Sequence, residues 1–152
     1  IKIRIPNIKF AVIGSRTNSE YINFRNYFNN LNIKNNIIDL GEIYGRKKYE
    51  VLQSSKAFFS LSYYESFGLA VYEAMYLRMP CFLYDLSIYS KIYNKKYFFS
   101  ASISDYKSLA NLYINYIKNE SIQRKIKDKN DGIKFILNDW SEIAENEIKK
   151  FN

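Results

Sequence analysis

The segment Glu65-Ser66-Phe67-Gly68-Leu69-Ala70-Val71-Tyr72-Glu73 holds two carboxylates with seven residues between them, one of which is a glycine. The run from Phe67 to Leu77 reads as a helix. On it, Glu73 has Leu69 and Ala70 one turn before it and Tyr76 and Leu77 one turn after it. Those neighbours define its face, and all are apolar or aromatic. Glu73 is therefore expected to be a buried carboxylate. Burial of that kind is costly unless the group accepts good hydrogen bonds. The donors are either a Lys, Arg or Tyr of the fold or the hydroxyls of a ligand, and both remain open at this point.

The helix follows an apolar run that reads as a strand, so its N-terminus is expected at the carboxyl edge of the sheet. Open α/β sheets bind ligands at that edge. Ser66, Phe67, Gly68 and Leu69 would form the turn and the first helical residues. Their free N–H groups and the helix dipole suit an anion, and Gly68 permits close approach to the backbone. Glu73 would lie roughly 7–8 Å from the helix tip. A phosphate at the tip would bring an attached ribose within its reach, and an ionised carboxylate can accept from both hydroxyls of a vicinal diol. Glu65, in the preceding loop, could accept from the hydroxyls of a sugar. The pair suits a ligand of the form ribose–diphosphate–sugar.

These side chains need a frame. Ile8–Gly14, Asn36–Gly41, Ala57–Ser62 and Pro80–Tyr84 are short apolar runs that read as buried strands, and Tyr97–Ser100 reads as a fifth. Glu20–Leu31, Arg46–Ser55 and Phe67–Leu77 carry helical patterns between them. From Asp105 the pattern is helical to the end, with breaks near Asn119 and Asn138. The alternation implies an α/β fold, Rossmann-like, with a mostly parallel sheet and helices on both faces, followed by C-terminal helices. Residues 1–152 read as a single domain. Doubly wound nucleotide-binding domains open with a strand–turn–helix, whereas only Ile1–Asn7 precede the first strand here. The chain is therefore expected to be a piece of a longer polypeptide.

Composition narrows the chemistry. There is no histidine, which removes the commonest general base and the commonest zinc ligand. Cys81 is the only cysteine, which excludes an intrachain disulfide and fits a reducing compartment. No stretch is long and apolar enough to span a membrane. The formal charge of +8 could signal an anionic partner. The basic residues, however, are scattered as Arg46-Lys47-Lys48, Lys95-Lys96, Arg124-Lys125 and Lys149-Lys150, in a chain rich in the Ile, Asn, Lys and Tyr of AT-rich coding. Scatter of this kind describes solvated helix faces, and no nucleic-acid partner is expected. No G-x-G-x-x-G, Walker motif or metal-ligand cluster is visible, so neither a nicotinamide dinucleotide nor a metal is expected. Gly14-Ser15-Arg16 either presents backbone and a guanidinium at the same edge or is a plain strand-ending turn, the commoner case. Asp85 follows the fourth strand and would matter only if it faced the cleft. The many tyrosines read first as packing residues, ahead of carbohydrate stacking.

The Glu65–Met75 segment resembles the E-x7-E motif of retaining glycosyltransferases with the GT-B fold, particularly glycosyltransferase family 4. The likeness extends from about Pro6 to Phe151. Pro6-Asn7 with the following FAVIG, IIDLGEI, AFFSLSYYE and the Asp139–Ala144 segment each resemble a family element in the family's order. The resemblance implies that Glu73 binds the ribose, that Glu65 contacts the donor sugar as the catalytic carboxylate, and that backbone groups of Phe67, Gly68 and Leu69 meet the sugar and diphosphate. Residues near Glu42 and Ile43 would contact the base, and Gly14 and Arg16, candidates from the reading of their own turn rather than from the resemblance, are added to the donor site. No cofactor or metal is implied, because the helix dipole and basic side chains stabilise the leaving diphosphate.

The implied partners are a nucleotide-sugar donor, an acceptor that is a sugar, a lipid-linked glycan or a protein, and an N-terminal domain of the same enzyme. The implied location is the cytoplasm, or the periphery of the inner face of the membrane. Two departures stand out. Arg78 replaces the family's glycine after the helix, and Tyr84-Asp85-Leu86-Ser87-Ile88-Tyr89 replaces a Gly-Gly loop. The family's phosphate-holding Arg and Lys would lie upstream of this chain. These departures favour an alternative, a noncatalytic sugar-nucleotide-binding or interaction domain.

Overall fold

The structure is a computed structural model that describes residues 1–93 and 95–130, and of Lys96 and residues 126–130 only the backbone. It divides into two compact units, Ile1–Ser54 and a second that begins at Ser55.

In the first unit, β1 (Phe10–Ile13) leads into α1 (Asn18–Asn30), β2 (Ile37–Gly41) and α2 (Gly45–Ser54). β1 and β2 pair in parallel from Phe10 opposite Ile37, with a register shift between Val12 and Ile13. A capping box starts α1. The Thr17 hydroxyl accepts from the Glu20 N–H, and the Glu20 carboxylate accepts from the Thr17 N–H. Hydrogen bonding to both groups of Thr17 holds the Glu20 carboxyl below its usual range. Asn36 is the buried polar side chain of this unit. Its amide donates to the carbonyls of Pro6 at 2.9 Å and Ile8 at 2.7 Å, which fixes the segment leading into β1.

The second unit runs β3 (Phe58–Ser60), α3 (Leu69–Tyr76), β4 (Cys81–Tyr84), α4 (Ser87–Ile92), β5 (Phe98–Ala101), α5 (Tyr106–Lys118) and α6 (Glu120–Asn130). Its three strands pair in parallel in the order β3-β4-β5. Register places Phe59, Phe82 and Phe99 side by side. Their rings stack with centroids 5.1 and 4.7 Å apart. Tyr113 and Tyr116 of α5 meet this ladder edge-on at 5.3 to 5.8 Å. Cys81 and Leu83 alternate to the other face, and all four β4 residues are buried, so helices cover β4 on both sides.

The strand and helix pattern expected from the sequence is present, with ends displaced by one or two residues. α4 was not expected. Its spacing of Leu86, Tyr89 and Tyr93 is helical, but six residues are too few for periodicity to declare. The break near Asn138 and the Asp139–Ala144 segment lie outside the described residues. Among the described residues, no helix is long and apolar enough to cross a membrane.

Candidate functional site

The loop after β3 and the tip of α3 bring Glu65, Ser66, Phe67, Gly68, Leu69 and Glu73 together at the carboxyl edge of the second unit's sheet. Gly68 is the N-cap of α3, with φ +79°. Having no side chain, it offers no acceptor to the first-turn N–H groups, so these are left for solvent or a ligand.

Val71, Ala74 and Met75 turn α3's other face into the core. The face bearing Glu73 is the accessible one. Leu69 is 65% exposed, Tyr76 is 50% exposed and Ala70 is exposed. Glu73 itself is half-buried. This corrects the expectation of a buried carboxylate. The apolar neighbours Leu69, Ala70 and Tyr76 that suggested burial lie on a surface, because α3 turns Val71, Ala74 and Met75 into the core instead.

Glu65 is half-buried and is held in place, since the Ser62 hydroxyl donates to its Oε1 at 2.9 Å. Behind Ser62 stand Ser60 Oγ at 3.3 Å and, from Ser60, the Tyr89 hydroxyl at 3.4 Å. Tyr89 and Tyr93, both on the α4 side, are buried, and burial pushes both phenols up. The Tyr93 hydroxyl donates to the Gly68 carbonyl at 3.5 Å. Tyr89 also corrects the reason for Gly68. The space above its Cα is filled by the Tyr89 ring, so the glycine is required by packing and by its positive φ.

α4 begins where the family's Gly-Gly loop was missed, with Leu86 as its N-cap. Asp85 is exposed and pairs with Lys95 at 3.2 Å.

The remaining predicted residues belong to the first unit. Gly14 follows β1, and its N–H donates to the Gly41 carbonyl at 2.9 Å. Arg16 donates to Asp39 Oδ1 at 2.8 Å and lies 4.1 Å from the centroid of the Phe24 ring. The same Asp39 oxygen accepts from the Gly41 N–H at 3.2 Å. The guanidinium is thus engaged inside its own unit rather than presented outward. Glu42 is exposed and accepts from the Tyr44 hydroxyl, which raises the Tyr44 phenol. The Ile43 side chain is buried, so only its backbone could meet a base. Among the described residues, no group of three His, Cys, Asp or Glu could hold a metal ion.

Comparison with solved structures returns the same fold at low identity. TarM of S. aureus, solved with fondaparinux, alpha-GlcNAc-glycerol and UDP, superposes with a TM-score of 0.81 at 20% identity, covering 99% of this chain and 30% of TarM. Sucrose-phosphate synthase from Thermosynechococcus elongatus gives 0.80 at 19%, covering 97% and 39%. Anabaena Alr3699/HepE, solved with UDP and glucose, gives 0.79 at 16%, covering 96% and 40%. The chain therefore spans about 30 to 40% of the length of these proteins. No curated protein matches it. The fold is the Rossmann-like α/β arrangement of GT-B glycosyltransferases. Residues 1–133 match the family described as "Glycosyl transferases group 1", and the chain belongs to that family.

Proposed function

We propose that this chain is the donor-binding domain of a retaining glycosyltransferase of the E-x7-E type. The observation that carries the reading is the placement of Glu65 and Glu73 on either side of an α3 tip that has no side-chain cap, on the helix's accessible face. Glu73 accepts from the ribose hydroxyls of a nucleotide diphosphate sugar. The first-turn N–H groups and the helix dipole take the diphosphate. Glu65 accepts from the hydroxyls of the sugar. In the transfer, the bond from the anomeric carbon to the diphosphate breaks and its electron pair leaves on the diphosphate. The α3 tip stabilises that charge, and no metal is needed in this scheme. The acceptor hydroxyl bonds to the anomeric carbon on the face the diphosphate left and passes its proton to the departing diphosphate oxygen.

The acceptor, whether a sugar, a lipid-linked glycan or a protein, is held in this reading by another domain of the same polypeptide. The enzyme works in the cytoplasm or at the inner face of its membrane.

The test is Glu73→Gln, measured for nucleotide affinity and for melting temperature. Losing an acceptor that takes hydrogen bonds as a charged group costs roughly 1.5–3 kcal/mol, or about 10- to 150-fold in affinity for UDP or GDP. The melting temperature should barely move. Unchanged affinity with a large fall in melting temperature would leave Glu73 as a structural residue.

A second reading, a noncatalytic sugar-nucleotide-binding module, is favoured by α4, which occupies the segment where the family has a Gly-Gly loop. Sugar transfer by the polypeptide that carries this chain, abolished by Glu65→Gln, would exclude it.

A further inference from the structure

We propose that Tyr89, Ser60 and Ser62 form a one-way hydrogen-bond chain that orients the Glu65 carboxylate, making them positioning residues for the sugar half of the donor. The inference rests on the functional reading above.

The direction of the chain follows from what each group can donate. An ionised carboxylate only accepts, so the 2.9 Å bond between Ser62 and Glu65 must use the Ser62 proton. A hydroxyl has one proton, so Ser62 can only accept across the 3.3 Å contact with Ser60. Ser60 has then spent its own proton and can only accept from Tyr89 at 3.4 Å. Every dipole points toward Glu65, and bonds aligned in this way strengthen one another.

The chain is also anchored. Ser60 ends β3 and Ser62 stands two residues on with its hydroxyl 3.3 Å from that of Ser60, while Leu61 between them is exposed. Tyr89 is fully buried on α4, with its ring packed beneath Gly68. One side chain therefore supports the α3 tip with its ring and, through two serines, fixes the carboxylate on the other flank. A long carboxylate in a loop would otherwise sample several rotamers, and ordering it on binding would weaken affinity.

The experiment compares UDP and GDP with UDP-glucose, UDP-N-acetylglucosamine and GDP-mannose as titrants of the chain. Glu65→Gln sets the size of the sugar-specific effect. Ser62→Ala should weaken the nucleotide sugar by about 10-fold and Tyr89→Phe, which keeps the ring under Gly68, by about 2- to 5-fold. Affinity for the bare nucleotide should stay as in the parent chain, and Ser62→Thr should restore nucleotide-sugar binding. Loss of both affinities together, or of neither, overturns the positioning role while the donor-binding reading stands. A parent chain that binds no nucleotide overturns the donor-binding reading and this inference with it.

Discussion

The Cα of Gly68 faces the ring of Tyr89, so closely that a Cβ on Gly68 would lie 2.7 Å from Tyr89 Cε1. Tyr89 is fully buried and cannot swing away. Gly68 also has φ +79°, a conformation costly to any residue with a Cβ. Gly68→Ala should therefore destabilise the chain by roughly 2–4 kcal/mol, combining backbone strain with overpacking. Urea unfolding measures this. In a Tyr89→Leu background, the same change should cost less, because the steric part is relieved. A loss under about 1 kcal/mol for the single change would contradict the packing described, whose typical costs are larger.

Arg78 ends α3 in the left-handed region at φ +62°. The Arg78 N–H bonds to the Met75 carbonyl at 2.8 Å and the Met79 N–H to the Ala74 carbonyl at 3.0 Å, which together make a Schellman motif. Glycine is the usual occupant of this position. Arg78→Gly should raise stability by roughly 0.5–1 kcal/mol, the left-handed penalty less the extra freedom of glycine in the unfolded chain. A lower urea midpoint for the variant would mean that side-chain contacts of Arg78 outweigh the backbone strain.

These two positions also mark what was legible in the sequence. Arg78 was legible as the residue standing where the family has a glycine after the helix, and the structure gives that position a left-handed φ. Strands such as Cys81–Tyr84 were legible because burial on both faces demands a continuous apolar run. The positions of Glu65 and Glu73 around a helix tip were legible because spacing along a helix fixes direction. The partial exposure of Glu73 was not, since which face of an apolar helix meets the core depends on what packs against it. Residues Val71, Ala74 and Met75 fit under β3 and β4, which leaves Leu69 and Tyr76 outside. Tyr89 was invisible as a partner of Gly68, because the contact joins residues that no local pattern connects. Arg16 was readable as a cation at an edge, but its pairing with Asp39 depends on the register of β1 against β2.

Asp105 caps α5, and hydrogen bonding from the Ser108 side chain and from the Ser108 N–H at 3.0 Å holds its carboxyl below the usual carboxylate range. The folded pKa is depressed, so the stabilising contribution is fully present above the unfolded value of about 3.9 and is lost as pH falls through the folded value. Asp105→Asn keeps an acceptor at the cap without a titrating charge. The parent chain should therefore lose melting temperature relative to Asp105→Asn as pH drops from about 5 to about 2. Parallel curves for the two would remove Asp105 from the acid response.

Arg16 decides between two roles for the turn after β1. Its guanidinium donates to Asp39 at 2.8 Å and sits over Phe24 at 4.1 Å, and the side chains of Arg16 and Asp39 are only 16% and 22% exposed. Engaged in this way, it is expected to act as scaffold. Arg16→Met retains the aliphatic stem and removes the charge. The change should cost roughly 0.5–2 kcal/mol, made up of about 0.5–1 for the cation–π contact and up to about 1 for the ion pair. Asp39→Asn, which weakens the same pair from the other side, should lose less, because the Phe24 contact survives. Affinity for UDP or GDP should be unchanged in both variants. A tenfold fall in nucleotide affinity for Arg16→Met, with stability intact, would instead make Arg16 a phosphate ligand, the outward-facing role that its place at the edge of the sheet first suggested.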